Sequence, residues 1–191
     1  MRAAALAGWL LLIAAANVVA GETVDYRLDA AQSTIRFELY ALGWWPVRGS
    51  ASAQGSVVVR DGLADIDVSV SLQTLTMARA GYREWALSPE FFAAKKYPQL
   101  EFHAHAIPLQ RLREGGEIEG ELQVRGRARA ARFQLAASDC AASAAPCRVR
   151  ADGQLSRRAF GMRSRRFTLG DRIRIELELQ LVPEPVPVPA L

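Results

Sequence analysis

The sequence predicts an all-β protein: an antiparallel sheet of eight or nine strands, closed as a barrel or folded as a sandwich, with one short helical insertion. Three observations carry this. Apolar and polar residues alternate with a period of two in segment after segment, as in strands with one buried and one wet face. Turn signals part the segments, at Asp61-Gly62, Gly115-Gly116 and Gly170-Asp171. One stretch, 81–98, breaks the alternation with helical spacing. A sheet of this size has to close or fold over itself to protect its edges.

The first strand is expected at 24–28. The next, 33–40, carries Ile35, Phe37 and Leu39 on one face. Weaker alternation follows at 55–60. Residues 65–72 alternate cleanly, with Ile66, Val68, Val70 and Leu72 together. In the insertion, Ser88 is taken as a helix N-cap, Pro89 as first-turn residue and Lys95-Lys96 as the far end. Phe91 and Phe92 are its apolar payload, placed to cross one end of the sheet. Strands resume at 100–107, 117–124, 131–137 and 148–155. In 117–124, Gly120 interrupts a face of Ile118, Leu122 and Val124. The last strand, 172–181, alternates without a break from Ile173 to Leu181.

The chain has 191 residues, 50% hydrophobic and 23% charged, which suits one globular domain with a real core. Residues 1–20 have a secretory signal pattern: Arg2, an apolar run from Ala3, and small residues before a cleavage point after Ala20. The domain is expected over 21–182 and a Pro-rich extended tail over 183–191. Export to the periplasm places Cys140 and Cys147 in an oxidising compartment. A bridge between them closes about eight residues and contributes about 2.5 kcal/mol in the chain-entropy view.

Side-chain chemistry is sparse. Two histidines and two cysteines exclude most multi-ligand zinc and iron–sulfur sites. His103 and His105 leave one strand face together, opposite Phe102 and Ala104, so both are expected toward solvent. A metal-dependent enzyme using this pair is the alternative that a third ligand would support. No Gly-x-Ser-x-Gly elbow and no Gly-rich phosphate loop occurs, so no catalytic residue, metal or cofactor is assigned. Of the 24 basic residues 22 are arginine. They cluster at Arg125, Arg127, Arg129 and Arg132, and at Arg157, Arg158, Arg163, Arg165 and Arg166. These clusters are solvated hairpin tips, or they meet an anionic partner such as a membrane surface in transient contact. Nucleic acid is disfavoured by export and by the lack of aromatic residues among the arginines. Trp44 and Trp45 lie between strands, either at a barrel mouth or folded in as a plug. A membrane-spanning barrel also alternates, but aromatic residues are too few here for interfacial girdles.

Seven motifs follow one another along the chain. They begin with Tyr26-Arg27-Leu28-Asp29 and Ser33-Thr34-Ile35-Arg36-Phe37, then Leu42-Gly43 with Arg48-Gly49, and Ser71-Leu72-Gln73-Thr74. Ser88-Pro89-Glu90-Phe91-Phe92-Ala93-Ala94 with Tyr97-Pro98-Gln99-Leu100-Glu101-Phe102 is the most specific stretch. Gly120-Glu121-Leu122-Gln123-Val124-Arg125-Gly126 and Ser156-Arg157-Arg158-Ala159-Phe160-Gly161-Met162 complete the set. Together these motifs resemble the YceI-like family of exported lipid-binding proteins, and the resemblance implies a lipocalin-like antiparallel barrel around a long isoprenoid chain, with no catalytic residue. Ala51 and Ala53 stand where the family often has aromatic residues, which either widens the interior or loosens the core. The expected lining is Phe37, Leu39, Phe91, Phe92, Phe102, Phe133 and Phe160, and the expected partner an isoprenoid or other long-chain lipid. A non-lipid interaction module with a filled core is the remaining alternative.

Overall fold

The computed structural model describes residues 24–138, 140, 146–165 and 167–184. The signal segment expected at 1–20 and the tail beyond 184 lie outside the described residues. Ten strands and two helices follow one another: β1 (Val24–Leu28), β2 (Thr34–Ala41), β3 (Trp45–Arg60), β4 (Leu63–Ser71), β5 (Thr76–Met77), α1 (Ala80–Leu87), β6 (Gln99–Pro108), α2 (Leu109–Glu114), β7 (Gly116–Val124), β8 (Arg127–Leu135), β9 (Cys147–Ser156) and β10 (Arg172–Pro183). The order β10-β2-β3-β4-β6-β7-β8-β9 returns to β10, and every pair is antiparallel. The sheet is therefore a closed barrel of eight staves.

The ninth full strand, β1, shares a stave with β2. β2 pairs β3 over its first half and β10 over Arg174–Glu178. β1 pairs the far ends of the same two strands, Ser56–Val59 and Leu181–Pro183. The turn between β1 and β2 is pinned by Ser33, whose hydroxyl accepts from the Gln180 N–H at 3.0 Å.

Alternation is obeyed around the ring. Ile66, Val68 and Val70 of β4, Ile118, Leu122 and Val124 of β7, and Phe133 and Leu135 of β8 all point inward and are buried. The outward positions carry Arg36, Arg48, Asp65, Asp67, Glu119 and Arg132 among others. This polarity is the reverse of a lipid-spanning barrel, whose outer face is apolar.

Four details depart from the sequence expectations. β3 begins at Trp45, ten residues earlier than the alternation at 55–60 indicated. Its first half presents Gly49, Ala51 and Ala53 inward, side chains too small to show a hydrophobic period. The helix lies before Ser88, not after it. Tyr82, Trp85 and Ala86 supply its packed face, and Ser88 is its C-cap, donating its N–H to the Trp85 carbonyl at 3.1 Å. Pro89 follows as a stop, since the residue before proline avoids the helical region. Residues 88–97 then fold back, with the Phe92 N–H reaching the Ala86 carbonyl at 3.0 Å. α2 was unforeseen; it turns Leu112 into the core. Finally β10 continues to Pro183, and the Glu184 N–H donates to the Asp25 carbonyl.

A bulge resets β6. Ala64 faces Ile107 and Ile66 faces Ala104, so His105 and Ala106 together oppose Asp65. Ala106 takes φ 53°, and its N–H donates to the Asp65 carboxylate at 3.0 Å. The extra residue lets Phe102, Ala104 and Ile107 all face inward although their spacing breaks the period of two.

Connections 42–44, 72–98, 125–126 and 157–171 gather at one end of the barrel, here the cap end. Connections 29–33, 61–62, 109–115 and 136–146 form the other, the base end. At the base end Cys140 and Cys147 are joined by a disulfide, and both are buried.

Candidate functional site

The staves do not fill their interior. Between them lies a cavity of about 180 Å³, counted as space that the centre of a water molecule can occupy. One water needs only about 10–15 Å³ on that measure. Inward side chains from every stave and from the cap form its wall, all apolar save Arg157; Glu101 borders it too, but its carboxylate lies on the outer face near His103. Phe37, Leu39, Phe91, Phe92, Phe102, Phe133 and Phe160, the seven residues expected from the sequence, all lie on this wall. So does Ala51; Ala53 is packed solid and does not.

Three glycines keep the space open. Gly49 lies directly opposite Phe37, and Gly153 opposite Phe133. Gly120 lies diagonal to Phe102, two residues from its partner Leu122. In each case the ring lies over the glycine where a Cβ would be. A Cβ on Gly153 would stand 2.6 Å from the Phe133 ring, and one on Gly120 2.5 Å from that of Phe102. The rings therefore lie along the wall instead of reaching across the lumen. The Gly120 gap in the sequence is such a socket, and glycine facing phenylalanine on paired strands was the missed signal. The inward residues Ile35, Ile173, Ile175, Leu177 and Leu179 are only part-buried, although they line the interior. Their uncovered surface faces the unfilled space.

The cap closes one end. The rings of Trp85 of α1 and Phe91 meet at a tilt with centroids 3.8 Å apart, and Phe160, Met162 and Leu169 complete the closure. Arg157 holds this arrangement and is fully buried. Its Nε donates to the Gly170 carbonyl at 2.8 Å and Nη2 to Leu169 at 2.8 Å. Nη1 donates to Met162 at 2.5 Å and Ser164 at 2.9 Å. The guanidinium also lies 5.8 Å from the centre of the Phe91 ring. Burial lowers its pKa from the ordinary arginine value. One residue of the second arginine cluster is thus an internal fastener, not a solvated tip. Arg125 of the first cluster is also structural, donating to the carbonyls of Gly161 and Pro89 at 3.0 Å each.

The other candidates lie elsewhere. Trp44 and Trp45 are on the outer rim of the cap end, in edge contact with each other, and neither lines the cavity. Neither is a core plug. His103 and His105 project outward, as alternation predicts. His103 Nδ1 is 2.5 Å from Asp67 Oδ1, and His105 Nδ1 is 3.5 Å from Asp65. Among the described residues, no group of three or more His, Cys, Asp or Glu side chains is arranged to hold a metal ion.

Comparison with known proteins starts from this barrel. No curated protein matches the sequence. Among solved structures, BcnA of Burkholderia cenocepacia superposes with a TM-score of 0.66 at 16% identity, over 80% of this chain and 98% of that one. A polyisoprenoid-binding domain from Saccharophagus degradans gives 0.65 at 11% identity, over 83% and 98%. The YceI protein of Campylobacter jejuni gives 0.57 at 17% identity, over 72% and 85%. These likenesses establish the fold. The sequence profile of the YceI-like domain matches residues 26–181, from the first stave to the last, and by that match the chain is a member of the YceI-like family.

Proposed function

We propose that this protein is an exported, periplasmic carrier or store that encloses a long-chain isoprenoid or similar lipid in its barrel. The observation that carries the reading is the cavity wall, continuous and apolar, with part-buried side chains on the staves β2 and β10. An apolar chain laid there covers those side chains. Each methylene it withdraws from water contributes about 0.8 kcal/mol, so length alone gives affinity with few polar contacts. Phe37, Leu39, Phe102 and Phe133 contact the chain along the wall, and Phe91, Phe92 and Phe160 cover its end. The polyisoprenoid-binding relative from Saccharophagus degradans supports the ligand class. The disulfide supports export, since such bonds persist in oxidising compartments.

Mass spectrometry of an organic extract from natively purified protein tests this. The expected result is one chain-like lipid per barrel. Protein that never retains lipid, from cells or after incubation with isoprenoid alcohols, overturns it.

A further inference from the structure

Large apolar side chains are exposed unevenly. Six stand out among the described residues, and five of them belong to the cap end: Tyr40, Leu42, Trp44, Trp45 and Phe167. The sixth, Leu63, is at the base end. Leu42, Trp44 and Phe167 are the most exposed, at 63%, 68% and 86%. They sit on two neighbouring loops. The Leu42 N–H donates to the Thr168 carbonyl at 2.7 Å, the Gly170 N–H to that of Tyr40 at 2.7 Å, and Ala41 bridges Leu169. The loop bearing Phe167 is not loose, for Arg157 grips carbonyls on both sides of that residue.

Charge is uneven in the same sense. Among the described residues, the cap-end connections hold nine basic and three acidic residues, and the base-end connections two and three. Arg79, Arg163 and Arg165 are exposed, and none is ion-paired with a described carboxylate. Arg79 lies 5.7 Å from the ring of the exposed Trp45, and Arg165 5.1 Å from that of Trp85, the half-buried indole that closes the cavity. Among the described residues, Arg125 and Arg127 of the first arginine cluster and Arg157, Arg158, Arg163 and Arg165 of the second lie at this end.

We propose that the cap end docks on a lipid bilayer bearing anionic headgroups, with Leu42, Trp44 and Phe167 entering the interface and Arg79, Arg163 and Arg165 contacting the headgroups. Aromatic residues with an apolar body suit the interfacial region, and arginines near an anionic surface add attraction that salt weakens. The arrangement rests on the lipid-carrier reading for its purpose: a ligand nearly insoluble in water is collected from, or delivered to, a membrane. Docking brings α1 and the Phe91 turn, which close the cavity, against the source.

Sedimentation of the mature protein with vesicles tests the proposal. Phosphatidylcholine vesicles with and without phosphatidylglycerol are compared at low and high salt. Binding is expected to the anionic vesicles only and to weaken with salt. Trp44→Ser with Phe167→Ser should lower partitioning about ten-fold, as should Arg163→Gln with Arg165→Gln. Leu63→Ser, at the other end, should change nothing. Thermal midpoints show that each variant folds. Wild-type protein that ignores both vesicle types overturns docking, as does binding unaltered in the Trp44/Phe167 variant. A wild-type dimer dissolved by that variant also overturns it, because the tips would then face a second copy. Lipid extraction is read separately. Protein that yields lipid but ignores vesicles leaves the carrier reading standing without docking, and protein that docks but yields no lipid does the reverse.

Discussion

Arg157 makes four hydrogen bonds to backbone carbonyls and lies against a ring, with no carboxylate among the described residues in ion-pair contact. Its planar fork is what fits; a lysine ammonium has fewer donors and no plane. Arg157→Lys should therefore cost about 2–4 kcal/mol, through carbonyls left without donors. The thermal midpoint should fall by about 5–15 °C. Gly49 shows the opposite economy of space. Its backbone is unstrained, but a Cβ would collide with the Phe37 ring and push it toward the lumen. Gly49→Ala should cost about 1–3 kcal/mol by overpacking and lower retained lipid. Gly81→Ala, on α1 with open space around it, is the control that should be neutral or slightly stabilising. Neither Arg157 nor the glycine sockets could be read from the chain alone. A buried arginine looks like a surface one in sequence. A glycine in a strand gains meaning only once its cross-strand neighbour is known.

At the scale of elements, legibility followed side-chain size. β4, β7 and β10 alternate large apolar with polar or charged residues, so their inward faces are legible in the sequence, and their spans to within two residues. The first half of β3 was invisible because glycine, serine and alanine carry no period. β6 was placed but not its bulge, since one residue in the left-handed region leaves no hydrophobic trace. The insertion is legible as helical over 81–98, but Ser88 closes its helix instead of opening one: serine can cap either end, and the spacing of Tyr82, Trp85 and Ala86 decides. The seven lining residues could be named because large inward residues of a barrel converge whatever the register. The β8–β9 connection offers a direct test at this scale. Replacing Cys140 and Cys147 together by serine should lower stability by about 2–3 kcal/mol, the cost of freeing a loop this short. Urea midpoints of the two proteins measure it, with dithiothreitol treatment of the wild type giving the same shift.

Among the described residues, charge lies outside and hydrocarbon inside, the buried Arg157 excepted. Several outer carboxyls are held below their ordinary values: Glu178 by its hydrogen bond to Arg36, Glu38 by Tyr40 and then Arg48, and Asp65 by the Ala106 N–H. A carboxyl lowered by folding contributes stability above its unfolded pKa and loses it as pH falls through the folded one. The thermal midpoint should thus hold from neutrality to about pH 5 and decline below about pH 4.5. The decline should be shallow, because each of these pairs is exposed and screened.

The part-buried inner wall has a thermodynamic corollary. A chain that enters covers surface already organised by the folded barrel, so occupancy adds to the native state and not to the unfolded one. Mass action then couples melting to cargo: saturation at about a hundred times the dissociation constant raises stability by about 2.7 kcal/mol. Titrating emptied barrels with an isoprenoid alcohol should shift the melting curve upward, and calorimetry should record a negative heat-capacity change. Two preparations of one sequence, differing only in what they carried out of the cell, should melt at different temperatures.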